Sequence, residues 1–147
     1  MRALVAIVLL CFLAATPSWA VLGESVDSLA SDQQHLRGEL RSAVGEGFSV
    51  HEISSADGTF VREYASPAGL VFAVSWRGPF VPDLAQLLGS YFQEFQQASQ
   101  APVRRRGPLA VRTERLVVEL GGHMRAFRGR AYLPGALPNA VSTAVVQ

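Results

Sequence analysis

The chain contains no lysine; all 13 of its basic residues are arginine. It has one cysteine, Cys11, inside an apolar stretch near its start. A mature protein lacking that stretch has no thiol, which excludes thiolate catalysis, cysteine metal ligation and disulfide cross-links. Motifs are equally scarce. His51-Glu52 opens like the zinc-protease pattern H-E-x-x-H, but the closing position holds Ser55. The segment also alternates as a strand does, so the i,i+4 helical geometry of that motif is lacking. Gly45-Glu46-Gly47 begins like a dinucleotide fingerprint without its third glycine or following helix, and reads as a turn. No serine has the G-x-S-x-G elbow: Ser66 precedes a proline, Ser75 falls on a strand and Ser90 inside a helix.

What is present begins with a leader. Met1-Arg2 is cationic, Ala3 to Ala15 is uninterrupted apolar sequence, Pro17 breaks it, and Ser18-Trp19-Ala20 puts small residues at the two positions a signal peptidase inspects. Cleavage is expected between Ala20 and Val21, giving an exported protein of 127 residues, the size of one domain. Leu9-Leu10 ahead of Cys11 do not fit a lipoprotein signal. An uncleaved anchor is the competing reading, because Ala3 to Leu22 carries no charge; Pro17 and the Ser18-x-Ala20 site favour cleavage. The expected location is the periplasm or the extracellular space.

Beyond the leader the chain is neutral, with 12 arginines and 12 acids, unevenly placed. Val21 to Ser99 holds four arginines and ten acids, and Gln100 to Gln147 holds eight and two. Such asymmetry speaks to partners rather than to fold. The frequent arginine, alanine, glycine and valine match a GC-rich bacterial genome.

Periodicity predicts an α+β domain over 21–147. Ser25 to Leu40 has a broken helical stripe. Phe48 to Ile53, Thr59 to Tyr64 and Leu70 to Trp76 alternate as strands around turns at Asp57-Gly58 and Ser66-Pro67-Ala68-Gly69, a three-stranded antiparallel meander. Leu70, Phe72, Val74 and Trp76 are expected to share its core face. From Pro82-Asp83 to about Ala98, Leu84, Leu87, Leu88, Tyr91, Phe92 and Phe95 form one continuous helical stripe, so this helix should pack on the sheet. Residues 96–107 read as an exposed linker. Leu109 to Val111, Leu116 to Leu120 and His123 to Phe127 supply a further hairpin, with its turn placed at Gly121-Gly122 and a bulge at Gly129. Residues 140–147 read as a short tail.

Several uncommon words occur in order along the mature chain: Ser66-Pro67-Ala68-Gly69, Val71-Phe72-Ala73-Val74-Ser75-Trp76, Gly78-Pro79-Phe80, Leu87-Leu88-Gly89-Ser90-Tyr91-Phe92 and Gly121-Gly122-His123-Met124-Arg125-Ala126-Phe127. With Gly129-Arg130-Ala131-Tyr132 and a leader followed by Leu22-Gly23, the chain resembles the proteobacterial exported proteins grouped as domain of unknown function family 2844. The resemblance implies a bacterial exported protein and carries over no catalytic or binding residue.

The chemistry left to the sequence is slight. Glu52, Asp57, Glu63 and Asp83 are available carboxylates, but their spacing singles out no glycosidase-like pair. His123 reads as a locally bonded hairpin residue unless folding brings it to a serine. Only the arginines point to a ligand: Arg104, Arg105 and Arg106 in a loop, with Arg125, Arg128 and Arg130 on a nearby strand, form a candidate site for phosphates or carboxylates. The opposing reading is a solvated loop with internal ion pairs. The sequence therefore points to a noncatalytic envelope binding module, without cofactor or metal, whose partner is a protein or an anionic envelope component and not nucleic acid. A cofactor-free hydrolase acting on an envelope polymer and a purely structural envelope protein are the alternatives.

Overall fold

The computed structural model describes residues 22–26, 40–100 and 107–147. Period-two alternation interrupted by turn residues yields seven strands: β1 Leu40–Gly45, β2 Phe48–Ser54, β3 Phe60–Ala65, β4 Val71–Gly78, β5 Leu109–Arg112, β6 Val117–His123 and β7 Ala126–Tyr132. They form one antiparallel sheet in the order β1-β2-β3-β4-β7-β6-β5. Between β4 and β5 lies a helical segment: α1 Leu84–Leu88, a 3-10 turn Gly89–Tyr91 and α2 Phe92–Ser99. The fold is α+β, with the helical segment packed on one face of the sheet. The meander has four strands rather than three, and the later unit is a three-stranded meander rather than a hairpin.

The extra strand is β1. Its Leu40 was expected to close the first helix, whose body lies outside the described residues; Ser25 makes an isolated bridge to Leu70. Glu46-Gly47 turns β1 into β2, with Gly47 at φ 81°. Asp57-Gly58 does lie in the β2–β3 connection, but within a five-residue loop in which only Gly58 is left-handed, at φ 86°. Asp57 acts instead through its side chain, accepting from the Thr59 amide at 2.9 Å, as turn aspartates do.

Three details of the second half correct the sequence reading. The β6–β7 register runs on to His123 opposite Ala126, so the turn is Met124-Arg125 and not Gly121-Gly122. Gly122 is required for another reason: at φ 113°, a Cβ there would lie 2.2 Å from the Ala126 carbonyl oxygen. Gly129 is not a bulge; it pairs in register with Trp76 on one side and Leu120 on the other. The register shift is instead between Tyr64 and Ala65, where Ala65 pairs with Val71 and Tyr64 with Ala73.

That shift moves Phe72 away from the face predicted for it. Val71, Val74 and Trp76 pack in the core under the helical segment, with Ile53, Val61, Leu87, Leu88 and Phe95. Phe72 and Ala73 pack on the opposite face with Tyr64, Val117, Tyr132 and Val146. Leu70, also expected in that row, precedes β4 and is exposed. A bulged residue reverses side-chain alternation beyond it, so strict alternation misassigns this strand.

Residues 140–147 are no loose tail. Val146 is fully buried against the second core. The main-chain oxygen of Gln147 accepts from Tyr64 Oη at 3.0 Å, Ser75 Oγ at 2.8 Å and Arg62 Nη1 at 3.2 Å. Of the expected linker, Gln96–Ser99 belongs to α2, and 101–106 lie outside the described residues.

The helical segment starts at an Asp83 cap, whose Oδ1 accepts from the Ala85 and Gln86 amides at 2.9 and 3.3 Å. Of its stripe, Leu87, Leu88 and Phe95 are buried, while Leu84, Tyr91 and Phe92 are half-buried. Phe95→Ala should therefore cost about 3–5 kcal/mol, Phe92→Ala distinctly less, and Gln93→Ala, exposed on the far side, almost nothing. Equilibrium denaturation of the three variants checks this, and equal losses at Phe95 and Gln93 would refute the assigned face. Among the described residues no helix is long and apolar enough to cross a membrane.

Candidate functional site

Antiparallel pairing brings arginines together from segments that are distant in the chain. Arg77, near the end of β4, stands directly opposite Arg128 of β7. Like charges at facing positions of an antiparallel pair destabilise the sheet unless something neutralises them. Beyond β4 the β6–β7 hairpin continues for another residue pair and ends in Met124-Arg125. Arg125 sits at φ 63°, the only non-glycine residue with positive φ among the described residues. That conformation costs a side-chain-bearing residue about 1–2 kcal/mol.

Arg77, Arg125 and Arg128 line one depression of about 470 Å³, together with His123, Phe60 and Pro79. Among the described residues no carboxylate lines it. Four other arginines are differently engaged: Arg62 pairs with Glu52 at 2.6 Å, Arg112 and Arg130 with Glu119 at 2.7 Å, and Arg115 with Glu94 at 2.5 Å. Arg77, Arg125 and Arg128 have no ion pair among the described residues. The Arg77 guanidinium lies over the Phe60 ring, 5.1 Å from its centroid, a contact that leaves the planar donors at its edge available. The His123 ring places Nδ1 3.3 Å from the Met124 carbonyl oxygen.

The sequence-predicted arginines thus separate. Arg125 and Arg128 meet in the depression. Arg130 does not join them: half-buried, its Nε donates to Glu119 at 2.8 Å and its Nη1 to the Thr143 and Val146 carbonyls at 3.2 and 3.3 Å. It fastens the C-terminal segment to the sheet. Arg104, Arg105 and Arg106 lie outside the described residues. Arg77 was missed because no other arginine lies near it in the sequence; only the β4–β7 register makes it a neighbour of Arg128.

A second constellation lies on the face of the sheet that carries the helical segment. Ser42, His51, Glu63 and Val74 occupy one row across β1, β2, β3 and β4. Glu63 is fully buried, its carboxyl oxygens have no hydrogen-bond partner among the described residues, and burial pushes its pKa up to about 8. His51 lies between Ser42 Oγ at 3.0 Å and Ser49 Oγ at 3.3 Å, and partial burial lowers its pKa. The alternation of β3 carries a signal for this: placing Val61 inward also places Glu63 inward. Glu63 and His51 are neighbours in register, but the carboxyl makes no hydrogen bond to the ring, and no substrate can touch a group with no exposed surface. Glu52, next to His51, points to the other face and pairs with Arg62. Among the described residues no three histidine or acidic side chains come together to hold a metal ion.

The profile of a family described as "Protein of unknown function (DUF2844)" matches residues 18–146, nearly the whole chain. The chain belongs to that family. No curated protein and no solved structure matches it. Membership of DUF2844 brings no residue roles with it, so the reading of the site rests on the geometry of Arg77, Arg125, Arg128 and His123.

Proposed function

We propose that this DUF2844 protein is an exported, noncatalytic binding module whose arginine-lined depression holds an anionic component of the cell envelope. The observation that carries the reading is the set of three arginines around one depression with, among the described residues, neither a lining carboxylate nor an ion pair. On a sheet where Arg62, Arg112 and Arg130 are matched to acids, an unmatched facing pair is a cost that a bound anion would remove. Arg125 adds to the argument, because backbone strain at a charged residue is retained where that residue has work to do. A hydrolase would need His123 near a carboxylate, whereas its ring meets the Met124 carbonyl.

Two measurements test the proposal. Binding of a soluble polyanion such as inorganic polyphosphate should be detectable by calorimetry at low salt and weaken steeply toward physiological ionic strength, where the screening length is about 8 Å. Replacing Arg77, Arg125 and Arg128 with glutamine should abolish it, while Arg112→Gln, at a residue already paired with Glu119, should leave it nearly unchanged. Equal effects of the two changes would refute the site. Export is tested separately: N-terminal sequencing of periplasmic protein should begin at Val21. Recovery only in the cytoplasm with Met1 intact would overturn it.

A further inference from the structure

The arginine depression does not stand alone at its end of the sheet. Met124, at the tip of the β6–β7 hairpin, is 86% exposed, and Phe80 and Val81, which follow the depression-lining Pro79, are 58% and 44% exposed. Single exposed apolar side chains are ordinary on any protein. Here three of the six large exposed hydrophobics of the described residues fall in two loops that flank three unpaired arginines. The loops are held in place. The hairpin tip is fixed by the Gly122 close approach and the β6–β7 register, and the Phe80-Val81 loop is fixed between the end of β4 and the Asp83 cap.

We propose that this end of the sheet docks on the surface of a bilayer containing anionic phospholipid, with Arg77, Arg125 and Arg128 on the headgroup phosphates and Met124, Phe80 and Val81 inserted among the upper acyl carbons. The inference rests on the anion-binding reading above and names its ligand. Charge complementarity selects the occupant. A soluble polyanion would satisfy the arginines but leave the apolar rim in water. An apolar protein groove would cover the rim but leave three cations unpaired at its edge. A charged interface over a hydrocarbon layer satisfies both. Guanidinium groups bridge phosphate oxygens through paired donors, and flanking apolar side chains at that depth add affinity through area removed from water. Phe and Met suit that boundary, since neither carries a polar atom that must find a partner there.

The experiment uses protein recovered from the periplasm, so that segment 1–20 is not the source of any lipid affinity. Cosedimentation is measured with vesicles of phosphatidylcholine alone and with vesicles containing phosphatidylglycerol, alongside inorganic polyphosphate binding in solution. The protein is expected to bind only the anionic vesicles. Each Arg→Gln change at positions 77, 125 and 128 should weaken that binding about fivefold. The double variant Phe80→Ser, Met124→Ser should weaken vesicle binding about tenfold or more and leave polyphosphate binding unchanged. Both side chains are exposed, so unchanged unfolding midpoints are expected and checked by circular dichroism. Polyphosphate binding with no vesicle binding, or vesicle binding indifferent to the double variant, would overturn membrane docking while leaving the anion site standing. Absence of binding to either probe at low salt would overturn both.

Discussion

From pH 6.5 to pH 8 the folded protein should lose roughly 2 kcal/mol of stability, and Glu63→Gln should remove that loss. The sign follows from the buried carboxyl. Its ordinary pKa is 4.5, and burial in the folded protein pushes it up to about 8. Between those values the folded state keeps a proton that the unfolded chain has released, so folding weakens as pH rises. The penalty is absent below 4.5 and complete above about 8. His51, opposite Glu63 on β2, acts in the other direction. Burial lowers its pKa from 6.5, so the unfolded chain takes up its proton first and stability falls as pH drops below that value. Val74, on the β4 side, does not titrate. The window above 6.5 is therefore where Glu63 is seen most cleanly. Glutamine is the neutral isostere of the protonated acid, and the variant should be the more stable protein at pH 8 and nearly equal to the parent at about pH 4, below the ordinary carboxyl pKa. Denaturant midpoints across the pH series decide the matter, and parallel curves for parent and variant would refute the assignment.

The same residue shows where the sequence was legible and where it was not. The strands Phe48–Ser54, Phe60–Ala65 and Val71–Gly78 were readable as strands because each run is bounded by turn residues, and the helical stripe from Leu84 to Phe95 was readable because its period is unbroken. β1 was not, because Leu-Arg-Ser-Ala-Val-Gly has little of the β-branched or aromatic content that marks a strand. The reversal at Phe72 was hidden because a bulge leaves no mark in composition. Gly122 and Gly129 were both recognised as special, but for the wrong physical reason: each makes room for neighbouring atoms rather than for a turn or a bulge. That cause lies in the partner strand and is invisible until register is known. The site divides in the same way. Arg125 and Arg128 could be found by charge, whereas Arg77 required the β4–β7 pairing, and the removal of Arg130 required the docked C-terminal segment.

Gly129→Ala should cost about 3 kcal/mol or more, an effect that should largely vanish when Trp76 is made smaller. A Cβ at position 129 would lie 2.3 Å from Cζ2 and 2.5 Å from Cε2 of the Trp76 indole, closer than unbonded carbons approach. The indole cannot bend aside, because it is a rigid ring, 3% exposed, in the core beneath the helical segment. Overpacking of this kind ordinarily costs 1–3 kcal/mol and more where the neighbour cannot yield. Trp76→Leu opens the space at its own expense, roughly 3 kcal/mol for the lost packing. In that background the added methyl of Gly129→Ala should be close to neutral, giving a coupling of about 3 kcal/mol in the double-mutant cycle. Trp76 is the only tryptophan besides Trp19, so in protein that begins at Val21 its fluorescence reports the displacement directly, moving to longer wavelength in Gly129→Ala. Because Trp76–Gly129 and Arg77–Arg128 are adjacent pairs in one register, the strain should reach the arginine depression and weaken polyanion binding even at temperatures where the variant remains folded. Additive losses in the cycle, with unshifted fluorescence, would mean that the indole does not occupy the space above Gly129.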